Sequence, residues 1–212
     1  MNTKIIIVAL SITLSLVANG EQAPDAVKKM FDKRAKLMLK TLGITEGSSR
    51  KFLIPAEKIL LTANLGSLKI EDFLIKPSFG SNETINGFHI SKDDIQKAYI
   101  TIRTADSEQN SKMELGRWLV TSSMFFQSLL EFYKPISDIG EACVVPKNFN
   151  KTYGKSTRPN CCLYFVRNGI IMCINVFDIN VNIEKLAKLI DQRLVKTHKK
   201  LVASQTGDLY KK

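Results

Sequence analysis

The sequence predicts an α+β fold, an antiparallel β-sheet with amphipathic helices packed on it. Three observations predict it. Two apolar, β-rich runs, Cys162–Val166 and Ile170–Val176, are joined through Asn168-Gly169, the strongest short-range hairpin signal. Ala98–Thr104 alternates with β-branched residues, the period of a strand. Three longer segments carry apolar residues at helical spacing, and a strand followed by a helix occurs twice, at 98–133 and 161–200. The 212 residues are 44% hydrophobic and 24% charged, enough for one packed core and unlike a disordered chain, a collagen or a coiled-coil rod. The expected organisation is an address at 1–20, a basic amphipathic helix and linker at 21–46, an α+β domain at 47–202 and a polar tail at 203–212.

Met1–Lys4 carries one positive charge, Ile5–Val17 carries none, and Ala18-Asn19-Gly20 places small residues before Glu21. That order is the layout of a secretory signal peptide. The apolar stretch is shorter than the roughly 20 residues a helix needs to span a bilayer. The expectation is therefore cleavage before Glu21, leaving no transmembrane segment, and a secreted or periplasmic location. An uncleaved membrane anchor is the alternative.

Residues 24–42 read as a helix. Pro24 and Asp25 suit its first turn, Val27, Met30, Phe31, Met38 and Leu42 fall near one side, and Gly43 caps its C-terminus. Lys28, Lys29, Lys33, Arg34, Lys36 and Lys40 form the other side, which suits either a helix docked on a core or one lying on an anionic surface. Phe52–Leu61 reads as a short helix or strand and Leu65–Ile75 as a strand. Residues 77–87 read as a loop, and Ser91-Lys92-Asp93-Asp94 resembles a capping box opening a brief turn.

The segment 112–133 is the clearest helix. Leu115, Trp118, Leu119, Phe126, Leu129, Leu130 and Tyr133 share its stripe, and Pro135 stops it. Residues 136–146 read as a turn and then a strand. The Asn-Gly hairpin places Val166 opposite Ile171 and Tyr164 opposite Cys173. Cys162, Tyr164, Val166, Ile171 and Cys173 then share one face. Both faces are apolar, so the hairpin belongs at the centre of the sheet or under a cover. The last helix spans 181–200 with Ile183, Leu186, Ala187, Ile190 and Leu194 as its buried stripe and Asn180 or Asn182 as N-cap. Lys196, His198, Lys199 and Lys200 then stand at its C-terminal end, where the dipole favours positive charge.

The four cysteines are Cys143, Cys161, Cys162 and Cys173. In an oxidising compartment an even count suits disulfides, and all four are candidates, with three possible pairings. Buried free thiols are the alternative. Adjacent Cys161 and Cys162 point to opposite faces of a strand and make poor partners. A metal site is disfavoured, because there is no Cys-x-x-Cys and the two histidines, His89 and His198, are distant in sequence.

The runs Asp138-Ile139-Gly140-Glu141-Ala142, Leu163–Met172 and Ile183–Leu194 resemble a loose class of exported bacterial proteins of unknown function. In that class a "GDEA"-like turn precedes a strand, and a "FVRxGN"-like hairpin and an "LAxxID"-type helix follow. The resemblance covers the chain from Asp138 onward. It departs in having Glu141 where Asp is usual, and in the cysteines. It implies an antiparallel α+β domain in the cell envelope and no active site.

No phosphate loop, dinucleotide fingerprint, nucleophile elbow or His-Glu-x-x-His stands in the sequence, so no cofactor, metal or catalytic residue is assigned. Asp93-Asp94 and Glu71-Asp72 are adjacent pairs that read as solvated surface. The compositional oddity is charge: Lys and Arg number 31 against 20 Asp and Glu, a formal +11. The loop 147–160 contributes Lys147, Lys151, Lys155 and Arg158, with Tyr153 and Phe149 interleaved and no acid. Such a loop suits an anion or a partner. An exported chain would meet lipid or acidic glycan rather than nucleic acid.

Three functions follow. The first is an exported, soluble, non-catalytic protein that binds an unknown protein or ligand in the envelope or outside the cell. The second is an anionic-surface binder using the first helix and the basic loop. The third is an enzyme whose residues meet only in the fold, with Cys143, Cys162, His89 and Asp138 the first to inspect.

Overall fold

The computed structural model describes residues 25–68, 73–79, 85–123, 133–146, 161–177 and 181–209; within these, the side chains of 161 and 206–209 are left undescribed. Among the described residues four α-helices pack against a seven-stranded sheet, and every strand pair is antiparallel. The helices are α1 (Asp25–Thr41), α2 (Ala56–Ala63), α3 (Glu108–Ser123) and α4 (Ile183–Leu209). The strands are β1 (Leu74–Phe79), β2 (Ile85–Lys92), β3 (Ile95–Thr104), β4 (Tyr133–Pro135), β5 (Ala142–Pro146), β6 (Cys161–Arg167) and β7 (Ile170–Val176). Their order across the sheet is β1-β2-β3-β7-β6-β5-β4. The α+β class expected from the pattern is the one observed.

The order explains why a strand–helix unit occurs twice. β3 and β7, the two strands that lead into long helices, lie side by side at the centre. Their helices go to opposite faces of the sheet. α2 and α4 cover one face over Ile100, Ile102, Leu163, Phe165, Met172 and Ile174. α1 and α3 cover the other over Val144, Tyr164, Val166 and Ile171. A strand buried on both faces must be apolar along nearly its whole length, and β6 and β7 are, apart from Arg167 and Asn175. Both outer strands carry a proline, Pro77 in β1 and Pro135 in β4, where a missing N–H removes no central ladder bond.

Local signals set the turns. Asn168 and Gly169 hold φ of +48° and +78°, the type I′ pattern, and the register is Val166 opposite Ile171 and Tyr164 opposite Cys173, as the spacing requires. Gly43 at φ +70° ends α1, and the Ile44 N–H donates back to the Leu39 carbonyl at 2.9 Å. Ser107 caps α3 by accepting the Asn110 N–H at 3.3 Å. The Asn182 side chain caps α4 by accepting the Lys185 N–H at 3.0 Å.

The turn before β5 has a clear physical role. Asp138 and Gly140 are left-handed, which turns the chain so that Glu141 N–H donates to the Val166 carbonyl at 2.7 Å. The Glu141 carboxylate then accepts the Asn168 N–H of the hairpin at 2.8 Å. The Gly-Glu-Ala turn and the Asn-Gly hairpin are thus one unit. Arg167, at the same hairpin, makes a bidentate pair with Asp191 of α4 at 2.6 and 2.8 Å. A two-pronged Arg–carboxylate contact is the geometry in which an ion pair offsets its desolvation.

On the other face, Arg103 of β3 lies 4.7 Å over the Trp118 ring and pairs with Glu114. Arg117 reaches Asp32 of α1 at 2.7 Å and Glu114 at 3.2 Å. Trp118 is buried against Tyr164, which also meets Tyr133 edge-on. Leu115, Trp118 and Leu119 of the stripe expected on 112–133 are buried, while Phe126, Leu129 and Leu130 lie outside the described residues.

Several boundaries differ from expectation. The helix placed at 112–133 begins at Glu108, because Ser107 supplies a cap, and the described part ends at Ser123. Tyr133 lies on β4, paired with Pro146, rather than on that helix. Leu65–Ser67 is a 3₁₀ turn rather than a strand, set by left-handed Asn64. Residues 77–79 and 85–87, expected as loop, are strand. The brief turn expected at 91–94 is present, as the β2–β3 hairpin turn, with Asp93 and Asp94 at φ of +53° and +59°, since aspartate tolerates the left-handed region. The last helix continues past Leu201 to Leu209, because Leu201 and Val202 still pack on the core.

Candidate anion-binding groove

Lys147, Lys151, Tyr153, Lys155 and Arg158 lie outside the described residues, so the expected basic loop has no geometry to report. The basic side of α1 is exposed at Lys28, Lys29, Lys33, Lys36 and Lys40, while Ala35, Met38 and Leu39 are buried under it. This helix is docked on the core and its cations face outward. Lys36 also pairs with Glu46 at 3.6 Å.

A second basic cluster emerges on α4. Because that helix runs to Leu209, Lys196, Lys199 and Lys200 sit in its interior rather than at its end. The helix dipole therefore does not account for their placement, since its effect is confined to the last turn. Between Asp191 and Asp208 the helix has four Lys and Arg and no acid. The Arg193 guanidinium donates to the carbonyl of Ala63, the last residue of α2, at 3.4 Å. That contact bridges two helices whose apolar sides share one core.

A cavity of about 290 Å³ lies between them, lined by Thr62, Arg193, Lys196, Thr197 and Lys200. Its wall has three cations, two hydroxyls and no carboxylate. Thr197 is buried, which holds the floor in place. A shallower groove of about 530 Å³ runs along α4, sharing Lys196 and Lys200 and adding Lys199. The one acid on that outer wall, Asp191, is committed to Arg167. Clustered cations with hydroxyl donors and no competing carboxylate are the chemistry of an anion site, here one held Arg193 and two exposed lysines.

The cysteines divide between the two cores. Cys143 is buried under α4, and burial, with Asp191 and Glu184 nearby, pushes its thiol up to about 12. Cys162 and Cys173 face the α1–α3 side, one half-buried and the other buried. The three described thiols are unbonded to one another. Cys161 holds a place on β6 opposite Val176.

Cys143, Cys162, His89 and Asp138 do not converge. Cys143 and Cys162 are on opposite faces. His89 and Cys162 share a row across the sheet, but Tyr99 and Asn175 stand between them, about 14 Å at ordinary strand spacing. Asp138 sits in the turn before β5. The His89 ring meets the Tyr99 ring at a 52° tilt with centroids 4.8 Å apart, and its Nδ1 lies 3.3 Å from Gln96 Oε1. Among the described residues no group of three or more His, Cys, Asp or Glu is placed to hold a metal ion, and no helix is long and apolar enough to cross a membrane.

No family model, curated protein or solved structure matches the chain. The groove was hard to find from sequence because it depends on α2 packing beside α4. Its only trace was the acid-free run of cations after Asp191.

Proposed function

We propose that the chain is an exported, non-catalytic binding protein whose ligand is a phosphate-bearing component of the cell envelope, taken by the groove between α2 and α4. The observation that carries this reading is the wall of Arg193, Lys196, Lys200, Thr62 and Thr197 without a carboxylate. The charged start, apolar core and small residues of 1–20 support export. The excess of cations supports attraction to an anionic surface, where each Lys or Arg contributes about 1 kcal/mol.

The test uses chain recovered from the exported fraction, whose mass should begin at Glu21, mixed with vesicles of neutral lipid with and without phosphatidylglycerol. Association should require the anionic lipid and weaken as salt rises. Lys196→Glu with Lys200→Glu should lower affinity at least about tenfold. Lys28→Glu with Lys33→Glu on α1 should leave it nearly unchanged. Binding that ignores salt, or that is lost through α1 or through Lys151→Glu and Lys155→Glu instead, removes the groove from this role.

A further inference from the structure

The α1–α3 side of the sheet holds two thiols that the anion groove does not use. Cys162 of β6 stands directly opposite Asn175, and Cys173 of β7 directly opposite Tyr164. The two cysteines are therefore diagonal neighbours on one face. Asn175 joins them: its carbonyl oxygen accepts the Cys162 S–H at 2.5 Å, and its amide donates to the Cys173 sulfur at 3.5 Å. Cys143, on the opposite face, cannot join this pair.

We propose that Cys162 and Cys173 form a thiol–disulfide exchange site, in which Cys162 attacks an external disulfide and Cys173 resolves the product. Cys162 is the more accessible of the two. Ionisation costs Cys162 its bond to the Asn175 oxygen, so that amide must turn aside; the Cys173 S–H, as donor to the thiolate, holds Cys162 below the usual thiol range against the opposing effect of burial. Cys173 is held up, first by that same contact with Cys162 and then by burial. One sulfur is thus prepared to attack and the other to keep its proton until needed.

The step balances. The Cys162 thiolate bonds to one sulfur of the external disulfide and displaces the other as a thiolate. Cys173 then gives its proton to solvent, its sulfur bonds to Cys162, and the second external thiolate leaves. The protein pair loses two electrons and the external disulfide gains them. Diagonal strand positions stand about 7–8 Å apart, beyond the usual span of a disulfide. The strands must shear slightly to close the bond, which makes it readily reduced and suits exchange rather than a permanent staple.

Reduced full-length chain is incubated with oxidised glutathione, trapped by alkylation and digested with trypsin, which cuts between the two cysteines at Arg167. The proposal expects the peptide ending at Arg167 to be joined to the peptide beginning at Asn168, in the wild type and equally in Cys161→Ser. It expects reduced glutathione to release them, Cys173→Ser to retain glutathione on Cys162, and Cys143 to stay unmodified. A link that disappears in Cys161→Ser, a link through Cys143, no link at all, or a link that reduced glutathione fails to open would each overturn it. The wild-type and Cys161→Ser maps suffice even where another variant fails to fold.

Discussion

Glu141 carries a conflict that pH can expose. Burial raises its carboxyl above the usual range, against the pull of the Asn168 N–H and of Arg167. Glu108 adds to the rise and Lys112 opposes it. A carboxyl whose folded value lies above its unfolded value favours folding when protonated. That contribution is fully present below the ordinary glutamate value of about 4.3 and is lost as pH rises through the folded value. Glu141→Gln keeps an acceptor for Asn168 and removes the partly desolvated charge of a residue that is still exposed at the surface. Its stability relative to wild type should therefore be higher at pH 8 than at pH 4, read from urea midpoints at the two values. A difference that stays constant, or that shifts the other way, would show that the Asn168 and Arg167 contacts outweigh burial. Turn and hairpin are both legible in the sequence; in the structure a carboxylate of the one is held by an amide of the other.

At the scale of elements, the β6–β7 hairpin was legible because Asn-Gly and period-two apolarity state the same register. Helix ends were less legible. Ser107 marks a helix start only through its hydroxyl accepting the Asn110 N–H, and Leu201 continues the helix only through its packing on the core, neither of which is a local sequence signal. β1 was obscured because an edge strand with exposed Leu74 and Phe79 lacks a clean alternating pattern.

Two left-handed glycines separate backbone conformation from crowding. Gly43 has φ +70° and open space where a Cβ would go. Gly169 has φ +78°, and a Cβ there would lie 2.4 Å from the Ala105 carbonyl oxygen and 2.8 Å from the Phe52 ring. Gly43→Ala should cost about 1 kcal/mol, the left-handed penalty alone. Gly169→Ala adds a backbone collision and should cost at least about 2 kcal/mol more. Equal midpoint shifts in denaturant for the two variants would mean that the hairpin does not press on the 104–106 segment as described.

For the whole molecule, the sheet separates two surfaces. α1 presents its lysines on one side and α4 on the other, so a single flat anionic surface cannot engage both helices face-on. The alternative that pairs α1 with the basic loop therefore competes with the groove rather than extending it. Sequence made the total charge plain but could not say which cations share a concave wall, because Thr62 and Lys196 become neighbours only when α2 docks on α4. The thiols were legible as candidates for the same partial reason: hairpin register put Cys162 and Cys173 on one face, while the fate of Cys143 depended on which helix covers it.

The most direct test is to titrate isotope-labelled chain with inorganic phosphate and follow its backbone amide resonances. Saturable shifts centred on Arg193, Lys196 and Thr197, and abolished by Lys196→Glu with Lys200→Glu, are the result predicted for an anion seated between α2 and α4. Shifts centred on α1, or a diffuse drift that never saturates, would contradict it.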